Sequence, residues 1–272
     1  MSTDLPITEI ADGVLTFTFN RPERLNAITS DIYAHIADHV SAASTDEDIK
    51  VIVLKGNGRA FSSGFDLKLQ TGNRTVEQKI NSLQLTANRA RWAIWNCRKP
   101  VIAAVHGYCV GGALELVLPT DLTISTESCR FAVPEILFGA GPAFNMFPWL
   151  MNHKKAKSIL LLGEQFSAAD AYDAGLVTKV VPDTDLASET QKCVDQLLRM
   201  PRGAVWFNKQ GVNRAFETSG MIAHINSWAE TVAILGQIPD PTRESFSRKV
   251  QEEGASAGIK WRSDHYSKGA GN

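Results

Sequence analysis

Residues 106–136 constrain the possible folds of this chain more than any other stretch. They follow a short apolar run, residues 100–106, that predicts a buried strand. A turn comes next, and Gly111 and Gly112 then open a predicted helix, which Pro119 ends. The first N–H groups of a helix have no helical partner, and glycines let another molecule approach them closely. This arrangement therefore predicts a site that binds developing negative charge.

Two glutamates in this stretch lie among apolar neighbours. Glu115 stands in Ala-Leu-Glu-Leu-Val-Leu and Glu135 in Ala-Val-Pro-Glu-Ile-Leu, so both are predicted to be buried. Taken alone, Glu115 could equally be a structural carboxylate in a hidden salt bridge or a charge that favours the helix N-terminus. Two carboxylates in one dry cleft can instead divide acid and base roles, because burial and mutual repulsion separate their pKa values. The pair indicates a site that transfers protons.

A second candidate site lies upstream. Residues 50–54 predict a buried strand, and the glycine-containing residues 56–67 follow it, where α/β proteins place ligand loops. The adjacent Ser62 and Ser63 suggest a nucleophile, but no Gly-x-Ser-x-Gly motif is present and no histidine lies nearby to activate them. The Gly-x-x-x-x-Gly-Lys-Ser/Thr of a Walker loop is absent too. A nucleophilic or P-loop role is therefore disfavoured.

Four motifs together make the chain resemble the enoyl-CoA hydratase/isomerase (crotonase) superfamily. They are Asn-Arg-Pro-Glu-Arg-Leu-Asn-Ala at 20–27, Ala-Phe-Ser-Ser-Gly-Phe-Asp-Leu at 60–67, the glycine-opened helix with Glu115, and the Pro-Glu pair that ends at Glu135. They occur in the family's order and at its spacing. The resemblance extends from about residue 7 to the region of Trp261 and Arg262.

This resemblance implies an α/β fold, the crotonase-type spiral of ββα units, with a C-terminal helical trimerisation region. We therefore expect a core with the active site in residues 1–200 and a helical extension for oligomerisation in residues 201–272. The expected assembly is a homotrimer or a dimer of trimers. Apolar residues of the extension would otherwise face water, among them Trp228, Ala229, Val232 and Ile234.

The resemblance also assigns roles to individual residues. Glu115 and Glu135 are expected to be catalytic, and the backbone N–H groups of Phe65 and Gly112 to form an oxyanion hole for an acyl-CoA thioester. Further contacts to the substrate or its coenzyme A are expected from Ser63, Gly64, Asp66, Leu67, Lys68, Gly111 and Ala143. Lys68 could equally be an ordinary surface lysine. Neither a metal nor a separate cofactor is implied, since coenzyme A is part of the substrate.

The chain departs from the family pattern after Glu135. Most hydratases have a glycine-rich Pro-Gly-x-Gly-Gly followed by Thr-Gln-Arg-Leu, whereas residues 139–149 read Gly-Ala-Gly-Pro-Ala-Phe-Asn-Met-Phe-Pro-Trp. The family glycine whose N–H helps to position water aligns with Ala143. Alanine keeps the N–H but adds a methyl group, and Phe144 adds bulk beside it. The choice between hydratase and other crotonase chemistry therefore stays open at this point.

The expected function is that of an enoyl-CoA hydratase, a lyase that reversibly adds water to a 2-enoyl-CoA to give a 3-hydroxyacyl-CoA. The alternatives are a 3,2-enoyl-CoA isomerase, which needs one carboxylate, or another crotonase-type acyl-CoA lyase or hydrolase. An alternative from another class is a non-catalytic homologue that binds RNA or protein. A basic surface stripe would identify the last, and scattered Lys and Arg do not suggest one.

Composition limits the partners and the compartment. The 272 residues are 44% hydrophobic, enough for a sizeable core, and 28 basic against 29 acidic residues give a net charge of −1. We therefore expect no nucleic-acid or membrane partner. No apolar run approaches the about 18 residues of a membrane span, and residues 1–8 have no basic leader pattern. The four cysteines form no Cys-x-x-Cys pair, which favours reduced thiols and a cytoplasmic location.

Periodicity predicts most of the remaining elements. Strands are predicted at residues 14–19, 121–125, 130–133 and 176–181, and helices after Thr29 or Ser30, at 154–162, and repeatedly from 186 onward. His35 and His39 have the spacing of zinc ligands on a helix. A zinc protease would place glutamate at 36, where this chain has Ile36, so a solvated helix face is the preferred interpretation.

Overall fold

The computed structural model describes residues 4–67 and 75–267. Lys68, one of the expected coenzyme A contacts, lies outside these residues. The described residues form nine strands, β1 to β9 in chain order: Ile7–Ala11, Val14–Phe19, Val51–Gly56, Val101–Val105, Tyr108–Val110, Leu122–Thr126, Arg130–Ala132, Gln165–Ser167 and Lys179–Val181. None of the helices within the described ranges has both the length and the apolar character that crossing a membrane requires.

The strands form two sheets. The larger has the order β1-β2-β3-β4-β6-β9 and is parallel except for β1, which pairs antiparallel with β2. The smaller has the order β5-β7-β8. All five residues of β4 are buried, as are the first four of β3, which is typical of parallel strands covered on both faces. The predicted strands are confirmed, although β9 is shorter than residues 176–181.

Twelve α-helices, α1 to α12 in chain order, surround the sheets in the described part of the chain: Ser30–Thr45, Val76–Ser82, Asn88–Asn96, Gly112–Val117, Phe147–Leu150, His153–Leu162, Ala168–Asp173, Leu186–Arg199, Arg202–Thr218, Met221–Leu235, Pro241–Glu253 and Ala255–Ser267. A π-helical segment, Leu83–Ala87, joins α2 to α3. Short 3-10 turns occupy Pro22–Arg24, Pro134–Phe138 and Asp183–Asp185.

Helix α1 begins and packs as its sequence predicts. The Thr29 side chain accepts a hydrogen bond from the Ile32 N–H, and the buried face includes Ile32, Ile36 and Val40. His35 is half-buried, lies 2.7 Å from the Thr8 hydroxyl and packs edge-on against the Phe17 ring, while His39 is exposed. His35 therefore holds the helix against β1 and β2 and is not part of a wholly solvated face.

Two segments of the candidate site follow the carboxyl ends of β3 and β4. Their parallel pairing places residues 57–66 beside residues 106–112. Backbone hydrogen bonds run from the Ser62 N–H to the Tyr108 oxygen and from the Val110 N–H to the Ser62 oxygen. Asn26 fixes the 20–27 turn to the same loop, because its amide donates to the carbonyl oxygens of Asn57 and Ala60. Three of the family-like motifs are thus joined by hydrogen bonds.

The C-terminal helices pack against their own chain more closely than the sequence suggested. They break near Pro201, Gly220 and Pro241, as predicted. The expectation that the apolar residues of α10 face water in a monomer is wrong for two of them. Ala229 is fully buried, and Trp228 donates its indole N–H to the Pro142 carbonyl.

Candidate active site

Two glycines bring the candidate oxyanion donors together. Gly64 has φ +89° and Gly111 has φ +54°, conformations that side chains disfavour. A Cβ on Gly64 would lie 2.4 Å from the Val110 oxygen and 3.1 Å from the Gly112 nitrogen, so the two backbone segments touch. Among the described residues, no hydrogen bond is donated by the N–H of Phe65 or of Gly112. Both N–H groups are therefore without an acceptor in the described part of the chain.

Aromatic groups cover the other side of Gly112. A Cβ there would lie 2.6 Å from the Phe65 ring and 2.7 Å from the Tyr33 hydroxyl oxygen. That hydroxyl donates to the Gly112 carbonyl oxygen at 3.0 Å. Burial raises the pKa of Tyr33 far above its ordinary value, so the phenol stays protonated. Gly112 therefore cannot be replaced by alanine without moving both rings.

Glu115 is almost completely buried, as predicted, with 1% of its surface exposed. Its Oε2 accepts a hydrogen bond of 2.7 Å from the Phe144 N–H and lies 3.3 Å from Nη1 of Arg91. Its Oε1 is buried and has no hydrogen-bond partner among the described residues. One carboxylate oxygen is thus held by the protein, and the other is left for a ligand.

Arg91 is the functional candidate that the sequence reasoning missed. It lies on α3, is fully buried, and donates to the Asn88 side-chain oxygen at 2.7 Å and to the Tyr33 hydroxyl at 3.4 Å. Its guanidinium carbon lies 5.4, 5.5 and 5.8 Å from the ring centres of Tyr33, Phe65 and Phe144. Aromatic faces attract a cation at these distances. Arg91 is therefore enclosed by three rings and one carboxylate.

The helical spacing of the apolar residues around Arg91 could have predicted that this arginine is buried. It stands four residues after Ala87 and four before Trp95, and both of these are buried. An arginine on the apolar face of a helix needs an acidic partner, and Glu115 is the buried carboxylate that supplies it.

Glu135 lies on the 3-10 turn Pro134–Phe138, on the other side of Gly111. Its Oε1 would be 2.7 Å from a Cβ on Gly111, and its Oε2 is buried without a partner among the described residues. Burial, and secondly the negative charge of Glu115, raise the pKa of Glu135 from 4.5 to about 8. At neutral pH Glu135 is therefore mainly protonated and can donate a proton, whereas Glu115 has a cation as its partner.

The loop that departs from the family pattern contributes directly to the site. Ala143 and Phe144 are buried, and the Ala143 carbonyl accepts from the Asn88 amide at 3.4 Å. The N–H that reaches Glu115 belongs to Phe144 rather than to Ala143, the residue aligned with the family glycine. The Phe144 ring packs edge-on against Trp92, with ring centres 4.9 Å apart. Phe144 therefore both positions Glu115 and narrows the space beside it.

The other expected substrate contacts stabilise the loop. The Ser63 N–H donates to the Leu25 oxygen, and Asp66 forms an ion pair with Arg21 at 3.1 Å. Leu67 is half-buried at the end of the first described range. A small pocket opens on the outer side of Phe65, and it is lined by residues that include Ile28, Tyr33, Leu83 and Ala87.

The Arg91–Glu115 pair can be tested through protein stability. We expect Arg91→Met to lower the free energy of unfolding by about 3–5 kcal/mol, because it leaves the Glu115 charge buried without its counter-charge. The Arg91→Met/Glu115→Gln double variant should recover part of this loss. Arg89→Met, on the same helix, removes an exposed arginine paired with Asp38 and should change stability by less than about 1 kcal/mol. Urea unfolding of these three variants, of the single variant Glu115→Gln and of the native protein measures the differences, and strictly additive effects of the two site substitutions would contradict a direct interaction.

The raised pKa of Glu135 predicts a pH dependence of stability. The native carboxyl titrates near 8 and the unfolded one near 4.5, so between these values the native state holds a proton that the unfolded state has lost. Stability from this group is complete below pH 4.5 and falls as pH rises towards 8. The urea midpoint should therefore fall more steeply over this interval in the native protein than in Glu135→Gln. The exposed control Glu127→Gln should keep the native slope; equal slopes in all three proteins would rule out a protonated Glu135.

Comparison with known proteins places this geometry in a family. A family model described as enoyl-CoA hydratase/isomerase matches residues 9–231. The chain is 32% identical over 222 residues to "Probable enoyl-CoA hydratase echA8" of Mycobacterium bovis, an alignment that covers 80% of this chain and 85% of the relative. It is 33% identical over 214 residues to "Probable enoyl-CoA hydratase, mitochondrial" of Dictyostelium discoideum, with 77% and 76% covered.

Solved structures agree in fold. The crystal structure of an enoyl-CoA hydratase/isomerase from Xanthobacter autotrophicus Py2 is 35% identical, with a TM-score of 0.86 over 96% of this chain and 97% of that one. A probable enoyl-CoA hydratase from Mycobacterium smegmatis is 31% identical, with a TM-score of 0.80 over 85% and 93%. The crotonase-type fold expected from the motifs is thereby confirmed, and the chain belongs to the enoyl-CoA hydratase/isomerase family.

Proposed function

We propose that this protein is an enoyl-CoA hydratase, a lyase that reversibly adds water to a 2-enoyl-CoA thioester and forms a 3-hydroxyacyl-CoA. The observation that supports this proposal best is the unequal pair of buried carboxylates. Glu115 is paired with Arg91, while burial keeps Glu135 protonated at neutral pH. Water addition needs one group to take a proton and another to give one. Relatives that cover most of the chain carry the name enoyl-CoA hydratase.

The first step is polarisation of the thioester. The carbonyl oxygen would accept hydrogen bonds from the free N–H groups of Phe65 and Gly112, and these bonds strengthen as the oxygen gains enolate charge. Removing one such donor typically costs about 2.7–4 kcal/mol of barrier. The thioester carries its own coenzyme A, so the proposed reaction uses no separate cofactor and no metal.

The second step is the addition itself. Water bound to the free Oε1 of Glu115 would attack Cβ of the conjugated double bond and lose a proton to this carboxylate. Glu135 would then give its proton to Cα of the enolate. The oxygen of water ends on Cβ and one hydrogen on Cα, and one proton has moved from Glu135 to Glu115. Return of that proton through water restores both groups, and dehydration runs through the same steps in reverse.

Arg91 and Phe144 orient the Glu115 carboxylate for this role in the proposed mechanism. Both bind Oε2, which leaves Oε1 free and fixes the direction in which it points. The guanidinium also places a positive charge 3.3 Å from Oε2 of Glu115, which gives the buried carboxylate a counter-charge. Arg91 is therefore a positioning residue in the proposed mechanism and does not touch the substrate.

A 3,2-enoyl-CoA isomerase is the second candidate. Its supporting observation is the 139–149 loop, where Ala143 and Phe144 replace the smaller family residues and Phe144 binds Glu115. An isomerase needs only one carboxylate to move a proton between carbons. The free Oε1 of Glu115, together with a protonated Glu135, favours hydration over this alternative. A non-catalytic RNA-binding homologue is disfavoured, because the net charge is −1 and both carboxylates are retained.

We also propose a homotrimer or a dimer of trimers. Helices α9 and α10 expose large apolar side chains, including Phe207 at 68%, Val212 at 59% and Ile234 at 54% exposure. Burial of such side chains favours association. Light scattering at micromolar concentration should give three or six times the 29.7 kDa of one chain. A mass of 29.7 kDa would contradict the proposed assembly.

The four free thiols are consistent with a cytoplasmic location. Cys97, Cys109, Cys129 and Cys193 are all free. Burial raises the pKa of each thiol, which makes these cysteines poor nucleophiles. We propose that the enzyme works in a reducing compartment.

Variants of the two glutamates test the proposed function. Loss of the ultraviolet absorbance of a conjugated 2-enoyl-CoA reports hydration. Glu115→Gln and Glu135→Gln should each lower kcat by about 100- to 10,000-fold, because each amide keeps the size of the side chain but cannot exchange the proton. Calorimetric titration with coenzyme A should give nearly unchanged affinity, and the exposed control Glu127→Gln should keep full activity.

An isomerase would behave differently with matched 2-enoyl and 3-enoyl thioesters. Glu135→Gln would be inactive, while Glu115→Gln would still convert the 3-enoyl substrate. Such an asymmetry would overturn the two-carboxylate mechanism. Absence of turnover across a panel of acyl lengths, with coenzyme A still bound, would overturn the hydratase proposal.

A further inference from the structure

A pocket of about 130 Å³ lies at the amino-terminal edge of the main sheet. Lys50 comes directly before β3, and Lys99 comes two residues before β4. The two strands are parallel neighbours, and the Ile52 N–H donates to the Pro100 oxygen, so both lysines lie at the same edge. The carboxylates of the active site lie beyond the opposite strand ends, and strands of five or six residues separate the two edges by roughly 17–20 Å. The pocket is thus separate from the active site.

The charges that line this pocket are mostly positive. The lining side chains include Lys50, Arg98, Lys99 and Arg202, and the one acidic lining residue is Glu47. Glu47 is paired with Arg202 at 2.8 Å. Three cations therefore remain without a lining acid, in a chain whose overall net charge is −1. The guanidinium of Arg98 lies over the Trp206 ring, 4.3 Å from its centre, which holds it at the pocket wall.

Lys99 is the most unusual of these residues. It is 91% buried, since only 9% of its surface is exposed, and it lines the pocket. Among the described residues, the ammonium groups of Lys99 and Lys50 form no hydrogen bond or ion pair. The Nζ of Lys99 is not among the buried nitrogens that lack a partner, so the aliphatic stem is enclosed while the ammonium keeps contact with solvent. An anion in the pocket would give this ammonium a counter-charge.

The first turn of α9 adds backbone donors to the same wall. This helix has 17 residues, and its N-cap, Pro201, offers no side-chain hydrogen bond to the first turn. Gly203 and Val205 line the pocket. Free N–H groups and the helix dipole at such a terminus both favour an anion. The buried lysine and the helix terminus therefore indicate the same kind of ligand.

We propose that this pocket binds a small, multiply charged phosphate anion. A pocket of about 130 Å³ has room for a group with the five non-hydrogen atoms of phosphate. Ammonium groups bind phosphate as point charges, without the fixed geometry of a bidentate arginine. The Trp206 face is already covered by Arg98, so the pocket does not provide an open ring for stacking a nucleotide base. This inference is independent of the proposed hydratase activity.

Titration with inorganic phosphate and with diphosphate tests the proposal directly. At low and constant ionic strength, calorimetry should show saturable binding of one anion per chain, with diphosphate the tighter ligand if the higher charge decides affinity. Lys99→Met should weaken binding at least tenfold. The control Lys157→Met removes an exposed lysine from α6, with the same change in net charge, and should alter affinity less than twofold.

Thermal unfolding supplies a second readout. In phosphate-free buffer, Lys99→Met should be at least as stable as the native protein, because it removes one of several neighbouring positive charges. Phosphate should raise the Tm of the native protein and leave that of Lys99→Met unchanged. Lys50→Met provides the same comparison if Lys99→Met does not fold.

Three outcomes would overturn the proposal. The first is absence of saturable binding. The second is equal weakening by Lys99→Met and Lys157→Met, which would show a general charge effect. The third is binding that persists in Lys99→Met but is abolished by saturating coenzyme A, which would place the anion in the thioester site.

Discussion

The buried contact between Arg91 and Glu115 is the interaction on which the arrangement of the site depends. Neither side chain exposes more than 1% of its surface, and the charges are 3.3 Å apart. The pair is surrounded by Tyr33 from α1, Phe65 from the loop after β3, and Phe144 from the loop after Glu135. Removing one partner would leave a charge in an apolar enclosure, which is far less favourable than keeping both. The ion pair, between α3 and α4, and the three surrounding rings therefore bring together five segments of the chain.

The same contact separates the chemical roles of the two glutamates. Glu115 is ion-paired and bound by a backbone N–H at Oε2, and Glu135 has no cation in hydrogen-bonding contact among the described residues. Its pKa near 8 results first from burial and then from the charge of Glu115. Glu135, mainly protonated at neutral pH, is thus the acid of the proposed mechanism, and Glu115, with Arg91 as its counter-charge, is the proposed base. Arg91 creates this difference in the proposed mechanism without contacting substrate.

The sequence predicted those features of the structure that depend on residues close together in the chain. The apolar run before Gly111, the Thr29 cap and the burial of Glu115 are of this kind, whereas Glu135 is only half-buried as a residue although its Oε2 is buried. The motif spacing indicated the family and the fold. Strands β1, β5 and β8 were not predicted, because β1 is largely exposed, β5 is confined between Gly107 and Gly111, and β8 has a single apolar residue, Phe166. The Arg91–Glu115 contact joins residues far apart in the chain, so only packing reveals it. The same is true of the Phe144 N–H and of the burial of Ala229.

The central claim is that Glu115 and Glu135 together add water to a conjugated double bond. Mass spectrometry of the product formed from a 2-enoyl-CoA in water labelled with heavy oxygen tests it most directly. Hydration predicts one labelled oxygen on Cβ in every 3-hydroxyacyl-CoA molecule, with the thioester carbonyl unlabelled. Conversion of enoyl thioesters to products that carry no labelled oxygen would contradict the claim and favour double-bond isomerisation.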